Sequence, residues 1–279
     1  MVDAHVSGAC EEIHKGSSPF FGIINEKKMK NRSELTDILK KLKTNYFAET
    51  LKAEALEDLT REDVEILKEL ADDAQMGFTL KVGGSEAYRD TKFAKEIGIR
   101  KLVVPMIESA YALEKFITVV EEVYHDDEFP EIYANIETFN GAALLDEILN
   151  AESCQRMSGI IFGRTDMCGS LGLTSQDVDN DEIYQYALSI SNQVAKCGKP
   201  LYIGGRVSPH SISFFKNLPY MSGFETKKIL FNSKVLNTNE PQNAILAALE
   251  FELLWLQSKE QTQRDLKRIE IIKRRITLK

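Results

Sequence analysis

Eight short, nearly continuous apolar runs alternate with longer amphipathic stretches between residues 20 and 231 of this 279-residue chain. The runs are 20–24, 45–54, 78–83, 101–106, 131–137, 159–163, 200–205 and 223–231. A strand that is apolar on both faces must be covered on both faces. Strands of that kind separated by helical stretches pair in parallel, because each crossover lays a helix over the sheet. Eight such units close into a barrel. The competing open, doubly wound sheet would carry a GxGxxG turn after its first strand or a P-loop, and neither is present. The expected fold is therefore α/β: a (β/α)8 TIM barrel with a long C-terminal helix.

The intervening helical patterns cover 33–43, 60–75, 86–97, 109–124, 140–151, 180–197 and 209–217. Val64, Leu67, Leu70 and Ala71 recur at helical spacing, and Thr60 with Asp63 can cap that helix at its start. From Pro241 a longer pattern begins. Ile245, Ala248, Leu249, Leu253, Trp255 and Leu256 are followed, after a polar stretch, by Leu266, Ile269 and Ile272. Such a helix either closes the barrel or forms an arm packed on another subunit, and Trp255 suits a core or an interface anchor equally. The expected division is a flexible lead-in at 1–18, a catalytic barrel at 19–240 and a helical arm at 241–279 that serves as an oligomer contact.

Composition narrows the partners. The formal net charge of −8 opposes nucleic acid and anionic membranes as main partners. A small anionic substrate stays open, since a local site can carry the opposite sign. Cys10, Cys154, Cys168 and Cys197 form no CxxC pair and meet no histidine cluster, so reduced thiols are expected rather than zinc or disulfides. No apolar run approaches the ~18 residues of a membrane span, and no secretory leader is evident. The expectation is a cytoplasmic protein.

In such a barrel, function sits at the C-terminal ends of the strands. Two acidic residues there stand out: Glu137, closing IYANIET, and Asp166, in SGIIFGRTD. A pair of carboxylates on a rigid floor, with room for water and substrate, is how Mg²⁺ or Mn²⁺ is commonly held. Lys81, inside an apolar run, needs a charged partner if buried. Carboxylates and an anionic ligand would keep it protonated, which disfavours a Schiff-base role. Glu54 ends the second run. The glycines at 163 and at 204–205 let backbone amides approach an anion. Of the histidines, only His210 could reach the open end.

The segments VPMIES (104–109), IETFNGAALLDEIL (136–149) and GIIFGRTDMCGSLG (159–172), in this order and spacing, resemble the motifs of the HpcH/HpaI aldolase and citrate lyase beta-chain family. LKVGGSEAYRD (80–90) and SGFETKKILF (222–231) are similar to a divergent branch of it. The resemblance implies a phosphoenolpyruvate/pyruvate-binding type of barrel, often oligomeric through its C-terminal helices. It implies a divalent metal on Glu137 and Asp166. It also implies a 2-oxo acid whose carboxylate rests on the backbone amides of Gly163, Arg164, Thr165 and Asp166. Members of the family carry a histidine base after the second strand and an arginine clamp on the third. This chain has NYFAETLKAEALEDL, without histidine, in the first place and Lys81 in the second. Glu54 or a metal-bound water is then the candidate base, and Lys81 the candidate stabiliser of enolate or carboxylate.

The expected activity is a metal-dependent carbon–carbon lyase of the class II aldolase type, acting on a small 2-oxo acid such as pyruvate through an enolate. The alternatives are a citrate-lyase-like or synthase-like enzyme on an acyl thioester or sugar acid, and a catalytically reduced barrel that binds a metabolite or partner.

Overall fold

The computed structural model describes residues 31–55, 59–124 and 128–277. The expected lead-in at 1–18 and the weak run at 20–24 lie outside them. Eight strands close a barrel in chain order: β1 (Ala48–Glu54), β2 (Gly77–Lys81), β3 (Lys101–Val104), β4 (Glu131–Ile136), β5 (Gly159–Gly163), β6 (Leu201–Gly204), β7 (Gly223–Glu225) and β8 (Ile229–Asn232). Outside it lie α1 (Arg32–Tyr46), α2 (Arg61–Asp73), α3 (Tyr88–Glu96), α4 (Ala110–Val123), α5 (Phe139–Ala143), α6 (Leu145–Asn150), α7 (Arg164–Ser170), α8 (Asp181–Lys196), α9 (Ser211–Asn217), α10 (Pro241–Ser258) and α11 (Gln263–Thr277). The α/β barrel is the expected architecture. Strands β1 to β7 pair in parallel with their sequence neighbours.

The closure differs from expectation in one element. The run at 223–231 is a hairpin rather than one strand, and β8 runs antiparallel to both β7 and β1. A parallel crossover needs a dozen or more residues, and only Thr226, Lys227 and Lys228 separate the two strands. Thr226 holds this turn: its N–H donates to the Ile229 carbonyl (2.8 Å), and its hydroxyl accepts from the Ile229 N–H (3.1 Å).

The core follows the sequence pattern. In α2 the buried residues are Val64, Leu67, Leu70 and Ala71, and a capping box joins Thr60 to Asp63. Inside the barrel, a small separate cluster of Val103, Tyr133, Ile161, Tyr202 and Leu230 fills the middle and floor. Tyr202 donates to Glu49 (3.0 Å), and Lys101 lies over the Tyr133 ring (4.4 Å), so the lower end is plugged.

The C-terminal pattern is two helices. α10, an 18-residue helix roughly 27 Å long at 1.5 Å per residue, packs along α1 and is buried on nearly every side. Trp255 is 1% exposed and belongs to this chain's own core. The pattern breaks after Ser258 because Thr262 and Asp265 cap a new helix. Asp265 accepts from the Thr262 N–H (2.9 Å) and from Lys259 (2.9 Å). α11 then returns against α10, tied by a two-pronged ion pair from Arg268 to the buried Glu252 (2.6 and 2.8 Å). No helix of the described residues is long and apolar enough to cross a membrane.

Thr60→Ala removes the hydroxyl that accepts from the Asp63 N–H in the α2 capping box and should cost about 1 kcal/mol of stability. Urea unfolding measures it, with Thr60→Ser retaining most of the stability that Thr60→Ala loses. Equal stability of Thr60→Ala and wild type would show that the cap contributes nothing.

Candidate functional site

A cavity of about 370 Å³ opens at the C-terminal mouth of the barrel. Side chains of alternate residues on a strand share a face, so Lys52 and Glu54 on β1 both enter it. Glu225 enters from β7. Lys52 is 3% exposed and donates to Glu225 Oε1 at 2.5 Å, with Glu54 Oε1 at 3.2 Å. Burial opposes a charge on Lys52, but the Glu225 and Glu54 carboxylates outweigh it and hold its pKa above the ordinary lysine value. Burial likewise pushes Glu54 up. Lys52 and then Lys81 pull it further down, and Glu54 ends well below the ordinary carboxylate range. Glu225 Oε2 is buried and has no hydrogen-bond partner among the described residues.

Glu137 follows β4 and is 2% exposed. Lys81 Nζ lies 3.5 Å from each of its oxygens. Asn135, two residues earlier and on the same face, donates to Oε2 (2.9 Å), and the Met106 N–H donates to Oε1 (3.1 Å). Met106 adopts φ 53°, a left-handed conformation that costs a non-glycine residue of order 1 kcal/mol, and so turns its N–H onto the carboxylate. Gly163 faces Glu137 from β5. A Cβ there would stand 2.5 Å from Glu137 Oε2, so only glycine leaves the carboxylate its place. Asp166, in the first turn of α7, is exposed and lines the same cavity. Burial, joined by the Asp166 charge and opposed by Lys81, raises the Glu137 pKa.

The segment 163–166 divides. Gly163, Thr165 and Asp166 line the cavity. The Arg164 side chain does not: it is fully buried and donates to the carbonyls of Gly204 (3.0 Å) and Gly205 (2.8 Å) and to Asp179. Its guanidinium also sits over the rings of Phe214 and Phe215. Only the backbone amide of Arg164, the group the resemblance implies, is left to face the cavity side of this segment. Gly205, at φ 90°, has no Cβ where one would stand 2.5 Å from Thr165 N and 2.8 Å from Arg164 N. This keeps the space before those two amides open. His210 lies at the start of α9 and does not line this cavity.

Three sets of residues at the cavity were not singled out from sequence. Lys52 and Asn135 could have been found by counting two residues back from Glu54 and Glu137. Glu225 and Arg206 were visible as strand-end residues without a role. Arg268, Ile271 and Arg275 reach the mouth from α11, and nothing local in sequence places them there.

Among the described residues, no group of three or more His, Cys, Asp or Glu side chains could hold a metal unaided. The donor set still fits a hard divalent cation. Glu137 and Asp166 supply carboxylate oxygen, Asn135 Oδ1 is buried without a partner, and the cavity leaves room for the water and substrate ligands Mg²⁺ ordinarily keeps.

Fold and site together define an α/β barrel with a charged cavity at its C-terminal mouth. The HpcH/HpaI aldolase/citrate lyase family model matches residues 61–204, just over half of the chain, and the chain belongs to that family. Membership supports a lyase-type function. No curated protein matches the sequence. Among solved structures, the citrate synthase SbnG is 18% identical with a TM-score of 0.54, over 69% of this chain and 81% of that one. An HpcH/HpaI aldolase from Desulfitobacterium hafniense DCB-2 is 14% identical with a TM-score of 0.54, over 68% and 82%. A citrate lyase from Burkholderia xenovorans LB400 is 12% identical, covering 89% and 88%. At these identities the likeness is one of fold.

Lys52→Met would leave Glu54 and Glu225 buried without their cation, at a cost of about 3–5 kcal/mol at pH 7. The folded pKa of Glu54 lies below its ordinary 4.5, so stabilisation from the pair is complete above pH 4.5 and is lost as pH falls further. Unfolding free energies from pH 7 to 3 should therefore show the gap between wild type and variant narrowing. A gap independent of pH would mean that Lys52 does not hold Glu54 ionised.

Proposed function

We propose that this chain is a cytoplasmic, metal-assisted carbon–carbon lyase that cleaves or forms a 4-hydroxy-2-oxo acid through an enolate. The observation that carries the reading is the buried Glu137 carboxylate, which shares one cavity with Asp166 and Lys81 in the space that Gly163 leaves. A divalent cation held by Glu137 and Asp166, Mg²⁺ or Mn²⁺, would supply Lewis-acid polarisation of the 2-oxo oxygen. The amides of Arg164 and Thr165, open beside Gly205, receive the substrate carboxylate. Lys81 stands by with a fixed positive charge for the negative charge that develops on the enolate.

In the cleavage direction a base takes the proton of the 4-hydroxyl, the C3–C4 bond breaks, an aldehyde leaves, and the same base returns the proton to C3 of the enolate. Glu54 is a weak base, because Lys52 and Lys81 hold its pKa well below the ordinary carboxylate range. Glu225 is the better acceptor: its Oε2 has no partner, while Lys52 fixes its other oxygen. Glu54 then orients and charges Lys52. The same reading includes a homo-oligomer contact through the C-terminal arm.

One observation favours a second reading, a barrel that binds a 2-oxo acid without turning it over: no histidine lines the cavity among the described residues. Exchange of the pyruvate methyl protons in D2O, followed by NMR with Mg²⁺ present, separates the two. The lyase reading requires exchange in wild type, and a drop of about a hundredfold or more in Glu225→Gln. Binding of pyruvate with no exchange would establish the reduced barrel.

Glu137→Gln combined with Asp166→Asn should abolish calorimetric binding of Mg²⁺ and of oxalate with Mg²⁺ present. Retained metal binding in the double variant would remove these two residues as ligands.

A further inference from the structure

The cavity is lined by six cationic side chains against four carboxylates, in a chain whose net charge is −8. The excess lies at the rim. Lys52 and Lys81 are matched on the floor by Glu225, Glu54 and Glu137. At the mouth, Arg268 is tied to Glu252, but among the described residues no carboxylate lies within ion-pair distance of Arg206 or Arg275. Arg206 makes a single hydrogen bond, to the Ser175 hydroxyl at 2.8 Å, and is held at φ 46° just after Gly205 at φ 90°. Its guanidinium therefore reaches the segment after α7, in the cavity that Thr165 and Gly205 also line. Arg275 comes from the last turns of α11, and its Nε is buried without a hydrogen-bond partner. Burial, then the charges of Arg268 and Arg206, push its pKa down to about 10. Glu252, already tied to Arg268, offsets this only in part. Three guanidiniums around one carboxylate, one of them with an unused buried donor, cost stability unless an anion occupies the place between them.

We propose that Arg206 and Arg275, flanked by Arg268, form a second anion subsite at the mouth. It would take the oxyanion at the end of the substrate remote from the enolate. Two guanidiniums free of carboxylate partners match the charge of a phosphate monoester better than that of one carboxylate, and their forked donors fit its oxygens. The substrate class is accordingly a phosphorylated hydroxy-oxo acid, with a phosphorylated aldehyde as the cleaved partner. This rests on the lyase reading for what occupies the floor, but the subsite stands on its own residues.

Calorimetry with inorganic phosphate, in the absence of divalent cations, tests it on the full chain. Wild type binds phosphate and binds acetate more weakly. Arg206→Met with Arg275→Met weakens phosphate about tenfold or more, while oxalate with Mg²⁺ binds as in wild type. Arg275→Lys, which keeps charge but not the fork, falls between. These variants leave the Arg268–Glu252 tie in place, and an unchanged circular dichroism spectrum and melting temperature confirm that α11 stays folded. Phosphate binding unchanged in the double variant, or acetate binding as tightly as phosphate, overturns the subsite. Oxalate failing to bind wild type while phosphate binds would instead overturn the enolate floor and leave the subsite standing.

Discussion

A lysine buried inside a closed barrel has no water to turn to, and Lys52 is the charge on which the arrangement of this site depends. It reaches Glu54 on its own strand and Glu225 two strands away, across β8. Closure of the barrel sets that reach: β8, here an antiparallel strand returning from a three-residue turn, is the one strand between β7 and β1. Buried ion pairs of this kind are weak contributors to stability compared with apolar packing of equal volume. Their placement at the C-terminal mouth of the barrel, above an interior cluster of Val103, Ile161 and Leu230, points to what they hold in position rather than to how firmly they hold the fold.

The same economy of contacts surrounds Glu137. Lys81, Asn135 and a left-handed Met106 all converge on one carboxylate, and Gly163 gives it room. A carboxylate so constrained is oriented before any ligand arrives, which is where preorganised electrostatics acts most strongly. Asp166 is exposed and bears on Glu137 only through its charge. The pair is thus asymmetric, with one carboxylate buried and held by its neighbours and the other open to solvent.

Much of this was legible in the sequence, for reasons that differ from residue to residue. The barrel was legible because strands buried on both faces leave continuous apolar runs, and α2 was legible to its cap because Thr60 and Asp63 are a local signal. Glu137 and Asp166 were legible because strand ends are where such barrels expose polar residues. The hairpin at 223–232 was not. Thr226, Lys227 and Lys228 lack the glycine or asparagine that marks common hairpin turns, and the side-chain bond that closes the turn comes from a threonine. The direction of Arg164 was illegible because GRTD carries no information about which side of α7 meets Asp179, Phe214 and Phe215. No histidine lines the cavity among the described residues, and no local rule says which carboxylate stands closest to Lys52. The one that does, Glu225, lies 173 residues away.

The rim of the cavity depends on the orientation of one helix. α11 buries few apolar side chains, chiefly Ile269 and Ile272, so hydrophobic burial alone cannot fix its direction. Polar contacts do so instead. Asp265, bonded to Thr262 and Lys259, sets where the helix starts, and the forked pair of Arg268 with Glu252 sets its rotation about its own axis. Arg275 lies seven residues, two turns, beyond Arg268, so the rotation that satisfies Glu252 also turns Arg275 toward the mouth. Glu252 is 1% exposed and sits on α10, which packs against α1 at the barrel wall. The positive rim is therefore positioned from the core outward: packing fixes α10, α10 fixes Glu252, and Glu252 decides which face of α11 looks into the barrel.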